Sequence, residues 1–92
     1  MELKQIEKIS KALGDVSRLT ILLNMSKRKG IMQCSEIMTV LDLAQPSVSH
    51  HIKTLIEAGL MEPEKDGRNY SYQLNTALLN DYISTMKEIA GN

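Results

Sequence analysis

Apolar residues recur three and four positions apart at both ends of the chain, while between Leu60 and Leu74 the period drops to two. Leu3, Ile6, Ile9 and Leu13 predict a first helix over about 3–13 with Gly14 just past its end. Asp15 then reads as the cap of a second helix that carries Val16, Leu19, Leu22 and Leu23 inward and ends near Lys29 and Gly30. Ile31 to Gln33 reads as a short strand. Cys34 to Leu41 places Ile37, Val40 and Leu41 at helical spacing, and Asp42, Leu43 and Ala44 break that pattern before a new helix opens at Gln45. Pro46 suits its first turn, where a missing N–H is no loss, and Gly59 closes it after Glu57 and Ala58. Further on, Tyr70, Tyr72 and Leu74 alternate with Asn69, Ser71 and Gln73, and the turn signal around Asp66 and Gly67 predicts a hairpin. From Thr76 to Ala90, the stripe Leu78, Leu79, Tyr82, Ile83, Met86 and Ile89 predicts a last amphipathic helix.

The middle of this pattern has helix-turn-helix spacing, about 34–58, followed by a wing, about 60–74. At about 100° per residue, Val48, Ile52, Leu55 and Ile56 share one arc of the second helix, and Ser47, His50, Lys53 and Thr54 spread over the other. One face suits a core, and the opposite one carries donors and acceptors suited to a major groove. The expected fold is mostly α with a small β-hairpin wing: a winged helix-turn-helix filling 1–92 as one domain, with helical dimerisation elements at both ends.

In this setting the chain resembles the ArsR/SmtB family of small bacterial winged-helix repressors. Ala12-Leu13-Gly14-Asp15-Val16-Ser17-Arg18-Leu19 is similar to that family's opening motif. The run from Gln45 through Leu55 is similar to its recognition helix, and Ala58-Gly59-Leu60 with Gly67 to Tyr72 to its wing. The resemblance implies a homodimer joined by the terminal helices, bound to double-stranded DNA at a pseudo-palindromic operator, with recognition helices about 34 Å apart. It assigns His50 to DNA contact and leaves His51 packed and hydrogen-bonded. Gln45, Ser47, Ser49 and His50 are then expected to read base edges or bond nearby phosphates, while Lys53, Lys65 and Arg68 mainly attract phosphate.

Three departures from the family matter. Many relatives release DNA when a metal binds a Cys-x-Cys pair before the recognition helix, but Gln33 and Ser35 stand at those positions with Cys34 between them. The last helix contains no histidine for the family's second site, and Asp81 and Glu88 read as ordinary surface carboxylates. No metal or cofactor is therefore expected. The inducing signal is left among an organic ligand, a partner protein and simple protein amount, with Cys34 as a lone redox handle the remaining alternative. The wing's first arm carries Glu62 and Glu64, where relatives commonly have basic residues, which weakens phosphate attraction.

Composition adds limits. A chain of 92 residues, 42% hydrophobic, buries a modest core and gains from self-association. The formal net charge of +0 argues against nucleic-acid binding by sum, yet Lys53, Lys65 and Arg68 cluster on helix and wing while Glu2, Glu7, Asp81 and Glu88 lie near the ends. One cysteine, with no long apolar run, fits a cytoplasmic protein without a membrane partner. Lys27, Arg28 and Lys29 read as a helix terminus complementing its dipole, Tyr70 and Tyr72 as hairpin-to-core packing, and the methionines as core fillers. No oriented Ser-His-acid set or glycine-rich phosphate loop accompanies the histidines, so an enzyme is not expected. The competing reading is a winged-helix module that binds another protein.

Overall fold

The computed structural model of the protein describes residues 1–67 and 69–91. Capping chemistry sets most of the boundaries. Helix α1 spans Leu3–Leu13, and the Asp15 carboxylate opens α2, Val16–Lys27, by accepting the backbone N–H groups of Ser17 at 2.8 Å and Arg18 at 3.1 Å. Strand β1, Ile31–Gln33, leads directly into α3, Cys34–Leu41, which stops where Asp42 turns left-handed at φ 49°. Helix α4, Gln45–Glu57, carries Pro46 in its first turn and ends before Gly59 at φ 80°. Strands β2, Met61–Asp66, and β3, Asn69–Leu74, form the hairpin, and α5, Thr76–Ala90, begins at Asn75, whose side chain accepts the N–H of Leu78.

The sheet has the order β1-β3-β2, antiparallel throughout, with Met32 opposite Tyr72 and Met61 opposite Leu74. Its inner face and the helices enclose Ile9, Ala12, Ile21, Met25, Met32, Ile37, Val48, Leu55, Leu60 and Met61, all at most 1% exposed except the small rim around them. Methionines 25, 32 and 61 do fill the core, as their flexible thioethers suit. Asp66 pairs with Asn69, so the turn is centred one residue later than the sequence suggested, and Gly67 at φ 63° supplies the positive φ it demands.

Helix α2 corrects one expectation. Val16, Leu19 and Leu23 are 78%, 43% and 61% exposed, and Ile21, Leu22 and Met25 are the buried residues. Apolar side chains cover more than half of this helix's circumference, so periodicity alone does not choose its inner face. Arg18 lies on the buried side, where its guanidinium reaches back to the carbonyls of Ala12 at 2.7 Å and Lys11 at 3.2 Å beside the inward line of Ile21, Leu22 and Met25. A second correction concerns the hairpin. Tyr72 is buried as expected, but Tyr70 is 51% exposed because its ladder partner, Lys65, lies on the part of the hairpin that projects past the core. Gly14 is the C-cap of α1 with an ordinary negative φ of −83°.

Candidate nucleic-acid interface

Helix α4 is held by its apolar side. Val48, Ile52 and Leu55 are 1%, 6% and 0% exposed, and Ile56 packs partly against them. Anchoring this arc turns Gln45, Ser47, Ser49, His50 and Lys53 outward together, all exposed on one element. Thr54 differs from the nearby serines: it spends its hydroxyl on the carbonyl of His50 at 3.0 Å, whereas among the described residues Ser47 and Ser49 make no such back-bond. Lys53 extends beside Glu57, its Nζ 3.9 Å from the carboxylate, in an exposed pair that leaves the ammonium free to exchange partners.

The two neighbouring histidines have different surroundings. Their ring centroids are 6.0 Å apart and tilted by 56°. His50 is exposed, while His51 is half-buried, with Nδ1 3.1 Å from Arg18 Nη1 and 3.9 Å from Asp15 Oδ1. The packed, hydrogen-bonded place expected for His51 is the one it occupies. Asp15 is held below the usual carboxylate range, first by the backbone N–H of Arg18 and then by the Arg18 charge, against an opposing effect of burial.

On the wing, Lys65 is exposed with its ammonium 5.6 Å from the Tyr70 ring centroid. Glu62 and Glu64 are exposed on the same strand, so the wing presents both signs of charge. Arg68 lies outside the described residues. The structure therefore gathers five of the expected contact residues on α4 and carries Lys65 separately on β2.

The start of α3 is occupied by structural chemistry. The Glu36 carboxylate accepts the backbone N–H of Gln33 at 2.9 Å and also pairs with the Arg28 guanidinium. This pairing ties the end of α2 to α3. Cys34 is half-buried beside Tyr72, whose hydroxyl pKa is raised chiefly by burial and further by the thiol. One thiol flanked by Gln33 and Ser35 does not fit the donor set of a thiolate metal site. Among the described residues, no three His, Cys, Asp or Glu side chains are grouped to hold a metal ion, and no helix is long and apolar enough to cross a membrane.

Two residues behind this face, at the junctions of α4 with other helices, carry no role in the sequence pattern. Arg18 is the first, although its place three residues after a helix-capping aspartate was a usable signal. Asn75 is the second: besides capping α5, its amide donates to the carbonyl of Gly59 at 3.1 Å.

The arrangement matches known proteins in fold and in sequence. A family model for bacterial regulatory proteins of the arsR family matches residues 15–62. The arsenical resistance operon repressor of Staphylococcus aureus is 37% identical over 89 residues, covering 97% of this chain and 84% of that protein. The transcriptional repressor SdpR of Bacillus subtilis is 32% identical over 78 residues, covering 85% and 84% respectively. Among solved structures, an ArsR-like transcriptional regulator from Rhodococcus sp. RHA1 superposes with a TM-score of 0.82 at 26% identity, covering 95% of this chain and 80% of that one. The homodimeric winged helix-turn-helix DNA-binding domain of Mb0332 from Mycobacterium bovis has the same fold, with a TM-score of 0.75 at 23% identity over 96% of this chain and 80% of its own. With its helix-turn-helix, its wing and this likeness along nearly its whole length, the chain belongs to the arsR family of bacterial regulatory proteins, DNA-binding transcriptional regulators rather than enzymes.

Proposed function

We propose that this protein is a homodimeric cytoplasmic repressor that binds a pseudo-palindromic operator through α4 and the wing. The observation that carries this reading is the division of α4: its apolar arc is sealed in the core, and Gln45, Ser47, Ser49, His50 and Lys53 stand exposed on the other side. In this reading Gln45, Ser47, Ser49 and His50 meet base edges and adjacent phosphates, while Lys53, Lys65 and Arg68 supply phosphate attraction. Repression is supported by the Staphylococcus aureus and Bacillus subtilis relatives, both named as repressors. Dimerisation is supported by the homodimeric Mycobacterium bovis neighbour and by α5, on which Ile83 and Ile89 are 44% and 74% exposed.

The inducing signal is not a metal in this proposal. The relative from Staphylococcus aureus carries arsenical resistance in its name. In this chain Gln33, Cys34 and Ser35 offer one soft ligand, and the adjoining Gln33 N–H and Glu36 carboxylate are bonded to each other. An organic ligand, a partner protein or a simple change in protein amount is left as the signal, with Cys34 as a lone redox handle the remaining alternative. A bound signal acts only through a difference in affinity for two conformations.

Selection from a random DNA pool, followed by sedimentation with and without the selected site, tests the whole reading. A pseudo-palindromic consensus bound by two copies supports it. The exposed Glu62 and Glu64 and the formal net charge of +0 favour a second reading, a protein-binding winged helix. Failure to enrich any DNA, with affinity for heparin absent at low salt, would decide for that alternative.

A further inference from the structure

Two polar brackets tie α4 to the helices at the chain ends. At the first, Arg18 closes the last turn of α1 by donating Nε to Ala12 and Nη2 to Lys11, while Nη1 lies 3.1 Å from His51 Nδ1. A guanidinium can only donate, so Nδ1 accepts and the imidazole proton sits on Nε2. At the second, Asn75 accepts the N–H of Leu78 within α5 and donates Nδ2 to the carbonyl of Gly59, just beyond α4. Its own N–H bonds the carbonyl of Leu60 at 2.9 Å. The first bracket grips α4 at mid-length and the second at its C-terminal end.

Apolar packing holds a helix against a core without fixing its direction sharply, whereas hydrogen bonds, especially from a charged donor, are directional. Two such points define an axis. A helix the length of α4 spans roughly 20 Å, so a tilt of roughly 10° carries one end by roughly 3 Å, about one base-pair step. The helices at the far side of both brackets, α1 and α5, are those that carry Leu3, Ile83 and Ile89 exposed.

We propose that Arg18 with His51, and Asn75 with the Gly59 carbonyl, are positioning pairs that set the angle of the recognition helix against α1 and α5, and thereby the half-site separation a dimer accepts. The proposal rests on the operator-binding dimer described above. Neither pair touches DNA in it; each acts through the direction of α4.

The test measures affinity for operators whose half-sites are moved apart or together by single base pairs, with thermal melting of each variant as a separate readout. His51→Leu fills the same space without an acceptor, His51→Asn keeps an acceptor near Nδ1, and Asn75→Asp keeps the cap of α5 but removes the donor to Gly59. The wild type should prefer one separation. His51→Leu and Asn75→Asp should each lower that preference by roughly tenfold, the scale of one directional polar contact, and His51→Asn should restore most of it. Variants that keep the wild-type preference, or lose affinity equally at every separation in step with their melting temperature, would overturn the proposal while leaving the operator reading intact. Should His51→Leu fail to fold, Asn75→Asp decides alone. A wild type that binds no DNA at any separation would overturn both.

Discussion

Helices α4 and α5 are of similar length, 13 and 15 residues, and both are amphipathic, yet they leave opposite faces uncovered. Within a single copy of the chain, α4 buries Val48, Ile52 and Leu55, while α5 buries none of its residues. What α4 has left over is polar, whereas α5, beside exposed polar residues such as Asn80, Asp81 and Lys87, also leaves Ile83 and Ile89 uncovered, 44% and 74% exposed. The contrast teaches that an unused face names the partner it suits: donors and acceptors fit a groove edged by bases, and a stripe of aliphatic side chains fits another stripe like itself. A small chain gains twice from the second arrangement, because the same contact adds to its core and pairs its recognition helices.

The largest expected effect comes from attacking the apolar side of this contrast. Ile83→Glu combined with Met86→Glu should abolish operator binding and give monomers or unfolded protein in sedimentation, although neither residue lies near α4. A wild-type monomer at low micromolar concentration would break the comparison outright. Next in size, Leu55→Ala should lower stability by about 2–5 kcal/mol in denaturant unfolding, because it empties a fully buried place beneath α4.

The polar side should respond more gently and in two distinguishable ways. His50→Ala or Gln45→Ala should cost about 1–3 kcal/mol on the selected operator and much less on random DNA. Lys53→Ala should weaken both alike and lower the salt slope by roughly one. Equal losses on specific and random DNA for His50→Ala would remove base reading from that residue. The smallest effect concerns the cap of α2. Asp15→Ala should cost about 1 kcal/mol at neutral pH. Because the folded carboxyl is held below its ordinary value of about 3.9, the wild type's advantage is complete above that value. It should shrink as pH falls below it, which acid titration of the two melting curves checks.

The helix boundaries were legible because caps and breakers are local: Asp15, Pro46 and Gly59 act within a few residues of themselves. The outward set on α4 was legible for a related reason, since one arc of that helix is clearly apolar. Helix α2 was harder. Its buried face also holds Arg18, whose partners are two carbonyls of α1 and a histidine 33 residues away, and a helical wheel contains none of these. Tyr70 obeyed the strand alternation and still lies outside the core, because alternation tells which face a residue takes and not how far the core extends along it. The donor from Asn75 to Gly59 joins the ends of two helices, a distance that no sequence period reports.

At Gly59 the backbone holds φ at 80°, and a Cβ added there would lie 3.0 Å from Leu78 Cδ2. Across the exposed surfaces of α4 and α5 one side chain can replace another at little cost to the fold itself, because no backbone has to move. At this joint even a single methyl group meets both an unfavourable dihedral, about 1 kcal/mol or more, and a neighbour already in place. The fold's tolerance is therefore uneven along the chain: exposed positions of α4 can change side chain at little cost in stability, while at Gly59 any side chain carries a cost.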